Sequence, residues 1–452
     1  MSIRRLAALV LAIGAAPWAL RAQPREAVVD ARMGLSRDAR IAAALADVSP
    51  ARIRQTDSAL VAFGTRNTFS DTVSASRGIG AARRWLYHEL RAYSRDCGGC
   101  LRVEYDPSLI SVARAGGQSV DVVNVLAWLP GRDTSRVVVM GGHYDSCVCS
   151  INANDGTADA PGADDDGSGT SAVIELARVV SKRFPQGLDA TVVFALYAAE
   201  EQGLLGSTHL AQRLKDGGYR VVAAMTDDIV GNVVAEDGTT DSSSVRVYAV
   251  DSVPSGSGEL ARYVWGVARL YLPKFDVRPT LRLDRLGRGG DHAPFHRLGV
   301  PALRFSERLE NYKRQHLATD VLAGVNPGYV ANVARLNLAT VVSLAAAPGS
   351  PDSAVQRRDA ASGGQKWALS WSPVPGAARY EVLVRSTVAP TYTRVVFVPG
   401  GATNWLLDEQ LDDAWAAVRA VSASGARSLT AVFTEPPRTP RGVTPVVRPP
   451  SR

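Results

Sequence analysis

After its first residues the sequence contains no apolar run long enough to span a membrane, and it has no dense lysine and arginine cluster with interleaved aromatic residues. The first absence predicts that the mature chain has no stable membrane insertion. The second argues against nucleic-acid binding, although the formal net charge is +7. Because the arginines are spread along the whole chain, we interpret the excess charge as a basic, solvated surface.

Cysteine is scarce, with four residues in two close pairs, Cys97/Cys100 and Cys147/Cys149. In an exported protein an even number of cysteines favours disulfides. The alternative is a structural zinc site built on all four, but the Cys-x-Cys spacing is tight for that purpose. We therefore expect disulfides, and their connectivity stays open because four cysteines allow three pairings.

The N-terminus has the pattern of a signal peptide, which we assign to residues 1–22. A short cationic start, Met1 to Arg5, precedes an apolar stretch from Leu6 to Leu20 that a glycine and a proline interrupt. Ala22 is the small residue before the expected cleavage point. We expect the protein to be exported, either secreted or periplasmic.

A chain of 452 residues is too long for one small core, so we expect two folded units with appendages. The predicted segments are a signal peptide (1–22), an N-terminal helical pro- or cap segment (23–75), a catalytic domain (76–345), a linker (346–365), a small β-sandwich (366–435) and a disordered, Pro/Arg-rich tail (436–452). The sequence leaves open whether the segment 23–75 is removed, and it leaves the oligomeric state open.

In the predicted catalytic domain, short apolar runs alternate with helical patterns. The predicted strands cover residues 122–129, 137–140, 191–199, 221–225 and 301–305. Such alternation predicts an α/β fold of three layers, with a mostly parallel central sheet flanked by helices. Since ligands gather beyond the carboxyl ends of parallel strands, we expect His143, Glu200 and Asp228 to lie close together.

The C-terminal unit has a different pattern. Alternating runs at residues 367–371, 380–384, 394–398 and 415–421 are separated by Pro, Gly and Asn turns, which predicts a small all-β sandwich. The string Leu369-Ser-Trp-Ser-Pro-Val-Pro-Gly-Ala and the nearby Tyr380 resemble fibronectin type III domains. A surface or polymer ligand is a candidate partner of this unit.

Glu200 and Glu201 stand side by side at the end of an apolar, strand-like run. Two adjacent carboxylates at the end of a buried strand require a compensating cation or a role in proton transfer. Further candidate site residues in the same domain are His143, Asp145, Asp165, Asp228 and His316. Any one of them has an ordinary structural explanation, such as a helix cap or a solvated strand end. Together, two imidazoles and three carboxylates suit a pair of zinc ions bridged by one carboxylate.

Over about residues 75–345 the chain resembles the M28 metallopeptidases, the co-catalytic di-zinc aminopeptidases. The resemblance rests on the motifs Gly142-His-Tyr-Asp-Ser146, Pro161-Gly-Ala-Asp-Asp-Asp-Gly-Ser-Gly-Thr170, Tyr197-Ala-Ala-Glu-Glu-Gln-Gly-Leu-Leu-Gly-Ser207 and Asp291-His-Ala-Pro-Phe295. It implies a zinc exopeptidase-like fold, two Zn²⁺ per chain and peptide substrates.

The resemblance also assigns metal ligands by motif. Asp165 would bridge both zinc ions. His143 and Asp228 would complete one site, and Glu201 and His316 would complete the other. Asp227 competes with Asp228 as a ligand, and the register of the preceding strand favours Asp228.

In the same scheme Glu200 is the general base, because no metal would hold it. It would take a proton from a water between the metals and pass it to the leaving amine. Asp145 would hold the far nitrogen of His143 and set its tautomer. A free substrate α-amine would lie against a metal or a nearby carboxylate. The resemblance therefore implies an exopeptidase that hydrolyses N-terminal residues.

The chain departs from the family pattern near the last histidine. Many members have tyrosine directly before it, where this chain has Gln315, and Tyr312 lies three residues earlier. Contacts to substrate or transition state are therefore open, with Arg288 and Tyr312 as candidates. His292, in the last motif, is expected to support the site or line its wall rather than bind metal.

Three other functions stay open from the sequence alone. A carboxypeptidase or dipeptidase of the same family would need a cation for the substrate carboxylate, which Arg282, Arg285 or Arg288 could supply. A glutaminyl cyclase-like enzyme does not usually carry the triple-aspartate motif. A non-catalytic binding protein would be expected to have lost ligands, and all five are present here. Side-chain specificity is not predicted.

Overall fold

The computed structural model describes residues 26–28, 35–252 and 256–436. The chain forms an eight-stranded mixed sheet with helices packed on it, and two antiparallel sheets of five and three strands. The predicted signal peptide and nearly all of the predicted tail lie outside the described residues. Within these residues no helix combines the length and apolarity needed to cross a bilayer.

The strands, in chain order, are β1 Glu26–Val28, β2 Arg102–Val112, β3 Gln118–Leu129, β4 Asp133–His143, β5 Ala190–Tyr197, β6 Arg220–Asp227, β7 Ser244–Tyr248, β8 Asp276–Thr280, β9 Ala302–Glu307, β10 Ala354–Arg358, β11 Trp367–Trp371, β12 Arg379–Ser386, β13 Arg394–Pro399, β14 Asn404–Leu407, β15 Ala414–Val421 and β16 Ala431–Val432. The α-helices are α1 Ala39–Leu45, α2 Pro50–Ala62, α3 Gly78–Asp96, α4 Cys149–Asn152, α5 Gly169–Arg183, α6 Leu205–Asp216, α7 Ser257–Tyr271, α8 His292–Arg297 and α9 Pro327–Ala345.

The large sheet has the order β2-β3-β5-β4-β6-β9-β7-β8. Its central strands β5, β4, β6 and β9 are parallel, as predicted, and β7 is parallel to β8. The pairs β2–β3, β3–β5 and β7–β9 are antiparallel. The prediction of a mostly parallel sheet therefore holds for the centre, and the whole sheet is mixed. Strands β2, β7 and β8 were not predicted. Both β2 and β8 contain a proline, and their residues vary between buried and exposed along the strand.

Side chains of the central strands alternate between two hydrophobic cores, as the pleat of a strand requires. On β4, Val138 and Met140 join the core formed with helices α5 and α9, whereas Val137 and Val139 join the core formed with α6 and α8. Both faces of the strand are therefore apolar. That is why the sequence reads as a continuous hydrophobic run rather than an alternating one.

The N-terminal helices belong to the main core. Ile41, Leu45, Ile53 and Leu60 on α1 and α2 are buried in the same cluster as helices α5 and α9. The predicted boundary between the segments 23–75 and 76–345 is corrected accordingly, because removing α1 and α2 would expose apolar core side chains to water. The described part of this segment is an integral layer of the fold rather than a separate cap.

The C-terminal sheets share a second core. Trp367 and Trp371 of β11 pack with Tyr380 and Val382 of β12, so the three-stranded and five-stranded sheets face each other. The predicted strands are present. Strand β10 begins at Ala354, inside the predicted linker 346–365, and β1 from the N-terminus pairs with β13. The linker prediction is corrected because β10 needs the edge of β11 for its backbone hydrogen bonds.

Arg66 links α2 to the loops beneath the candidate site. Its side chain is fully buried and donates to the carbonyl oxygens of Tyr144 at 2.6 Å, Pro161 at 2.5 Å, Gly162 at 2.8 Å and Leu60 at 3.2 Å. One guanidinium thus satisfies backbone acceptors from three separate segments, which fixes their spacing.

We expect Arg66→Met to lower the free energy of unfolding by about 3 kcal/mol or more, because several buried carbonyl oxygens would lose their donor. Urea unfolding monitored by tryptophan fluorescence measures the change. The matched control is Arg91→Met on exposed α3 surface, which should shift stability by less than about 0.5 kcal/mol. Equal stability of the two variants would contradict the role given to Arg66.

Candidate metal centre

The candidate residues lie where neighbouring parallel strands end. Strand β4 ends at His143, β5 is followed by Glu200 and Glu201, and β6 is followed by Asp228. Since β5, β4 and β6 are adjacent and parallel, their carboxyl ends lie at one edge of the sheet. The expectation that His143, Glu200 and Asp228 lie close together agrees with this topology.

The backbone turns sharply at these positions. Among the described residues, the non-glycine residues with a left-handed backbone are Ala199, Leu204, Ile229 and His316. Each is a candidate site residue or lies near one in sequence. Such conformations cost of order 1–3 kcal/mol each and occur where the surrounding structure imposes them. At Ala199 and Ile229 this conformation turns the chain as it leaves β5 and β6, directly beside Glu200 and Asp228.

Asp165 lies between two groups of donors. Its Oδ1 is 3.3 Å from His143 Nε2, and its Oδ2 is 3.1 Å from His316 Nε2. His143 Nε2 is also 3.7 Å from Asp228 Oδ1, and His316 Nε2 is 3.4 Å from Glu201 Oε2. The structure therefore brings the five sequence-predicted ligands together in two groups that share Asp165.

Both groups have the donor geometry of a metal site. In one, single ligand atoms of His143, Asp165 and Asp228 all lie within 4.8 Å of one another. In the other, Glu201 and His316 meet the same limit together with the sulfur of Cys147. Cys147 is bonded to Cys149, so its sulfur is not a thiolate, and Cys97 is likewise bonded to Cys100. Histidine and carboxylate donors remain, which is a set that suits zinc.

The charges of the site also call for cations. Burial, together with Asp228 and Asp291, raises the pKa of Glu200 well above its usual range, and burial with Asp165 and Glu200 does the same for Glu201. For Asp165 burial acts in the same direction, but hydrogen bonds from two histidines outweigh it and hold its pKa well below the usual range. Carboxylates this close cannot all ionise without positive charge between them, which bound metal cations would supply.

Asp145 organises the main chain beneath the ligands. Its Oδ1 accepts the backbone N–H of Glu200 at 3.1 Å, and its Oδ2 accepts that of Glu201 at 3.2 Å. Oδ1 also lies 3.5 Å from Nδ1 of His143. One carboxylate therefore positions both glutamates and faces the nitrogen of His143 that points away from Asp165.

The other two residues of the aspartate triplet support the loop. Asp166 accepts the backbone N–H of His143 at 3.1 Å and that of Gly169 at 2.9 Å, while Asp164 accepts that of Gly231 at 2.9 Å. The peptide bond between Asp165 and Asp166 is cis. Only the middle aspartate points its carboxylate between the two histidines.

Asp227 and Asp228 point in different directions. Both carboxylate oxygens of Asp227 accept from Asn337 Nδ2, at 2.8 and 2.6 Å, and burial raises its pKa to about 8. Asp228 instead faces His143 and forms an ion pair with Arg304, whose Nη2 lies 2.9 Å from its Oδ1. The geometry therefore favours Asp228 over Asp227 as the ligand.

Sequence reasoning gave no role to Arg304 and Asp291. Arg304 is a fully buried cation in the apolar strand β9, and such a residue is a signal that a partner charge is buried with it. It pairs with Asp228 and with Asp284 at 2.9 Å. Asp291 opens the last motif, and burial raises its pKa to about 7. His292 Nε2 donates to the carbonyl oxygen of Leu283 at 2.8 Å and stays outside the ligand groups.

A cavity of about 560 Å³ opens onto the ligands. Arg288 lines it, as does Arg114 from the turn between β2 and β3, a residue that sequence reasoning missed. Tyr312 is 55% exposed and is not among the lining residues, so only one of the two predicted substrate contacts lies at the cavity.

Known proteins resemble this chain in sequence and in fold. The profile of Peptidase family M28 matches residues 124–341. A probable zinc metalloprotease of Pyricularia oryzae is 35% identical over 449 residues, covering 91% of this chain and 87% of that protein. Two solved structures share the fold. LapA aminopeptidase of Legionella pneumophila has a TM-score of 0.55 at 22% identity, covering 69% of this chain and 76% of its own. Porphyromonas gingivalis glutaminyl cyclase has a TM-score of 0.51 at 20% identity, and the match covers 65% of this chain and 97% of that protein.

We expect Asp145→Asn to weaken zinc binding by about 10–100-fold, because an amide keeps only one acceptor oxygen and would face the second of the two backbone N–H groups, those of Glu200 and Glu201, with its own N–H. Competition with a chromogenic chelator measures the affinity. The control is Asp121→Asn on exposed β3 surface, which should bind zinc as the native protein does. Native affinity in the Asp145 variant would contradict its positioning role.

Proposed function

The chain belongs to peptidase family M28, and we propose that it is a di-zinc exopeptidase that hydrolyses N-terminal residues from peptides. The observation that carries the proposal is the position of Asp165, with one oxygen facing His143 and the other facing His316. A carboxylate shared between two imidazole-containing groups is what a pair of metal ions requires.

The proposed metal ligands follow from the two groups. His143 and Asp228 would hold one zinc ion, Glu201 and His316 would hold the other, and Asp165 would contact both. When bound, zinc lowers the pKa of water and polarises a substrate carbonyl. The protein contributes a fixed arrangement of donors, because Asp145 accepts the backbone N–H of Glu201 and Arg304 forms an ion pair with Asp228.

Glu200 is the proposed general base. It lines the cavity, and none of the four short ligand distances involves it. Its backbone is held by Asp145, so its carboxylate stays beside the ligands without joining them. A carboxylate that no metal holds can take a proton from water and later release it to a leaving amine.

Export and the nature of the C-terminal unit are also proposals. The signal-like pattern of residues 1–22 and the disulfides Cys97–Cys100 and Cys147–Cys149 support an oxidising, exported location, secreted or periplasmic. The ring contact between Trp371 and Tyr380, with centroids 5.4 Å apart, supports a fibronectin type III-like sandwich. A surface or polymer is its proposed ligand.

A carboxypeptidase or dipeptidase is the second candidate, and Arg288 is the observation that favours it. Arg288 lines the cavity, whereas Arg285 is paired with Asp284 and Glu310, and Arg282 is not among the lining residues. Of the three arginines considered from the sequence, only Arg288 is therefore placed to meet a substrate carboxylate.

We expect Glu200→Gln to keep about two zinc ions per chain and to lower kcat by about 10²–10⁴-fold, because the metal ligands remain and the base is lost. Elemental analysis and hydrolysis of an aminoacyl anilide measure the two effects. Glu201→Gln is the contrasting variant and should lose metal as well as activity. Full turnover by the Glu200 variant would rule out its role as base.

Free and N-acetylated peptides of one sequence distinguish the two exopeptidase candidates. We expect cleavage of the free peptide only, since a blocked amine cannot lie against the site carboxylates, and we expect a chelator to abolish it. Mass spectrometry of the products identifies the bond that is cut. Cleavage of both peptides at the C-terminal residue would instead select the carboxypeptidase.

A further inference from the structure

We propose that Arg114 and Arg288 bind a carboxylate of the substrate, so that preferred substrates carry an acidic group next to the scissile bond. The inference rests on the proposed peptidase function and adds the substrate class. The shared ligand chemistry is a carboxylate, supplied either by an acidic side chain of the residue that is removed or by the terminal carboxylate of a short peptide.

The charged lining of the cavity is the first observation. Apart from His316, the ionisable side chains that line it are four carboxylates and three arginines. The carboxylates are those already placed in the catalytic and metal-binding groups. Within the described residues, the cavity wall therefore has no acidic side chain left over to repel an anionic substrate, and all of its remaining charged groups are guanidinium groups.

The three arginines differ in what they contact. Arg304 is buried and paired with Asp228 and Asp284, so its charge is balanced within the protein. Arg114 and Arg288 are exposed, and in the described part of the chain neither lies within 4.0 Å of a carboxylate oxygen. Two cations without an acidic partner thus face the space that a substrate would occupy.

Arg114 reaches the metal ligands from the hairpin of β2 and β3. Its Nη1 donates to the backbone carbonyl of Glu201 at 3.2 Å. The hairpin turn is itself held, because Asn154 Nδ2 donates to the Arg114 carbonyl at 3.0 Å. The guanidinium is therefore next to a proposed zinc ligand, with N–H groups remaining for a second acceptor.

Arg288 is carried by a loop anchored to the same ligands. Arg304 Nη1 donates to the Gly289 carbonyl at 2.8 Å while its Nη2 holds Asp228. Arg285 anchors the preceding part of the loop through its ion pairs with Asp284 and Glu310. The backbone of Arg288 is thus fixed beside the metal centre, and its side chain remains free to turn toward a ligand.

The rest of the wall leaves room for a substrate group. A Cβ atom at Gly203 or Gly287 would meet nothing within 4 Å, and one at Gly289 would meet only Leu204, at 3.8 Å. The apolar side chains that line the cavity are few, with Leu204 the largest of them. A large apolar side chain of a substrate would contact little apolar surface in this cavity, whereas a carboxylate would meet two guanidinium groups.

The charge balance points the same way. Two divalent cations would offset the four lining carboxylates, which leaves Arg114 and Arg288 as net positive charge at the cavity. Guanidinium groups bind carboxylates through paired, charge-assisted hydrogen bonds, and this arrangement also attracts anions before contact.

The first test compares glutamyl and glutaminyl anilides, which are nearly equal in shape and differ in charge. We expect the native enzyme to favour the glutamyl substrate by about tenfold in kcat/KM, and we expect Arg114→Met and Arg288→Met to remove most of that preference through a higher KM. Activity on the glutaminyl substrate should fall by a smaller factor than activity on the glutamyl substrate. The matched control is Arg282→Met, which alters an exposed arginine of the same loop that does not line the cavity.

A second arm tests the terminal carboxylate. Ala-Ala is compared with Ala-Ala amide in the native enzyme and in the same three variants. A preference for the free acid that Arg288→Met or Arg114→Met abolishes would support carboxylate binding with the peptide terminus as its source. A preference seen only with the glutamyl anilide assigns the acidic side chain.

Calorimetry makes the result independent of turnover. Glutamic acid α-amide and glutamine α-amide are titrated into zinc-loaded Glu200→Gln protein with and without Arg288→Met, and the Ala-Ala pair is titrated likewise. Equal affinity for the acidic and neutral member of both pairs would overturn the inference. If neutral substrates are still hydrolysed, the proposed peptidase function survives that result. Acid-selective binding without hydrolysis of any substrate would reject the function and keep the carboxylate site.

Discussion

The convergence of carboxylates in one buried cavity is the constraint on which the rest of this structure depends. Glu200, Glu201 and Asp228 follow parallel strands, Asp165 lies in the loop before α5, and all four line the same space, where burial opposes the ionisation of each. Like charges at this density are stable only with cations among them. Bound metal ions would balance these charges on the side that faces the cavity, and the fold has to hold each carboxylate in its own direction.

Much of the surrounding structure serves that second task. Asp145 accepts the N–H groups of both glutamates, and Arg304 neutralises Asp228 from behind. Asp320 accepts the backbone N–H groups of Asp164 and Asp165, which fixes the loop that carries Asp165. Arg66 reaches the same loop from the N-terminal segment. The segment before residue 76 therefore helps to hold the loop of the candidate site in position, in addition to covering the core.

The proposed substrate preference follows from the charges at the cavity that have no partner within the protein. Each charge at the ligands has a partner or a proposed metal, whereas Arg114 and Arg288 at the rim have no carboxylate partner in the described chain. In the proposed function the metal centre defines the reaction, and the two elements that carry these arginines select the substrate. They are a hairpin turn and a glycine-rich loop, which can change without disturbing the strands that hold the proposed metal ligands.

The sequence by itself determined the parts that depend on short-range pattern. Apolar runs located the central strands, and polar residues directly after them identified His143, Glu201 and Asp228, because a strand end is a local property. Tertiary structure alone decided which distant groups meet. The pairing of Arg304 with Asp228, the approach of Arg114 to Glu201, and the burial of α1 and α2 join segments far apart in the chain. Such contacts depend on how whole layers pack, and no local periodicity encodes them.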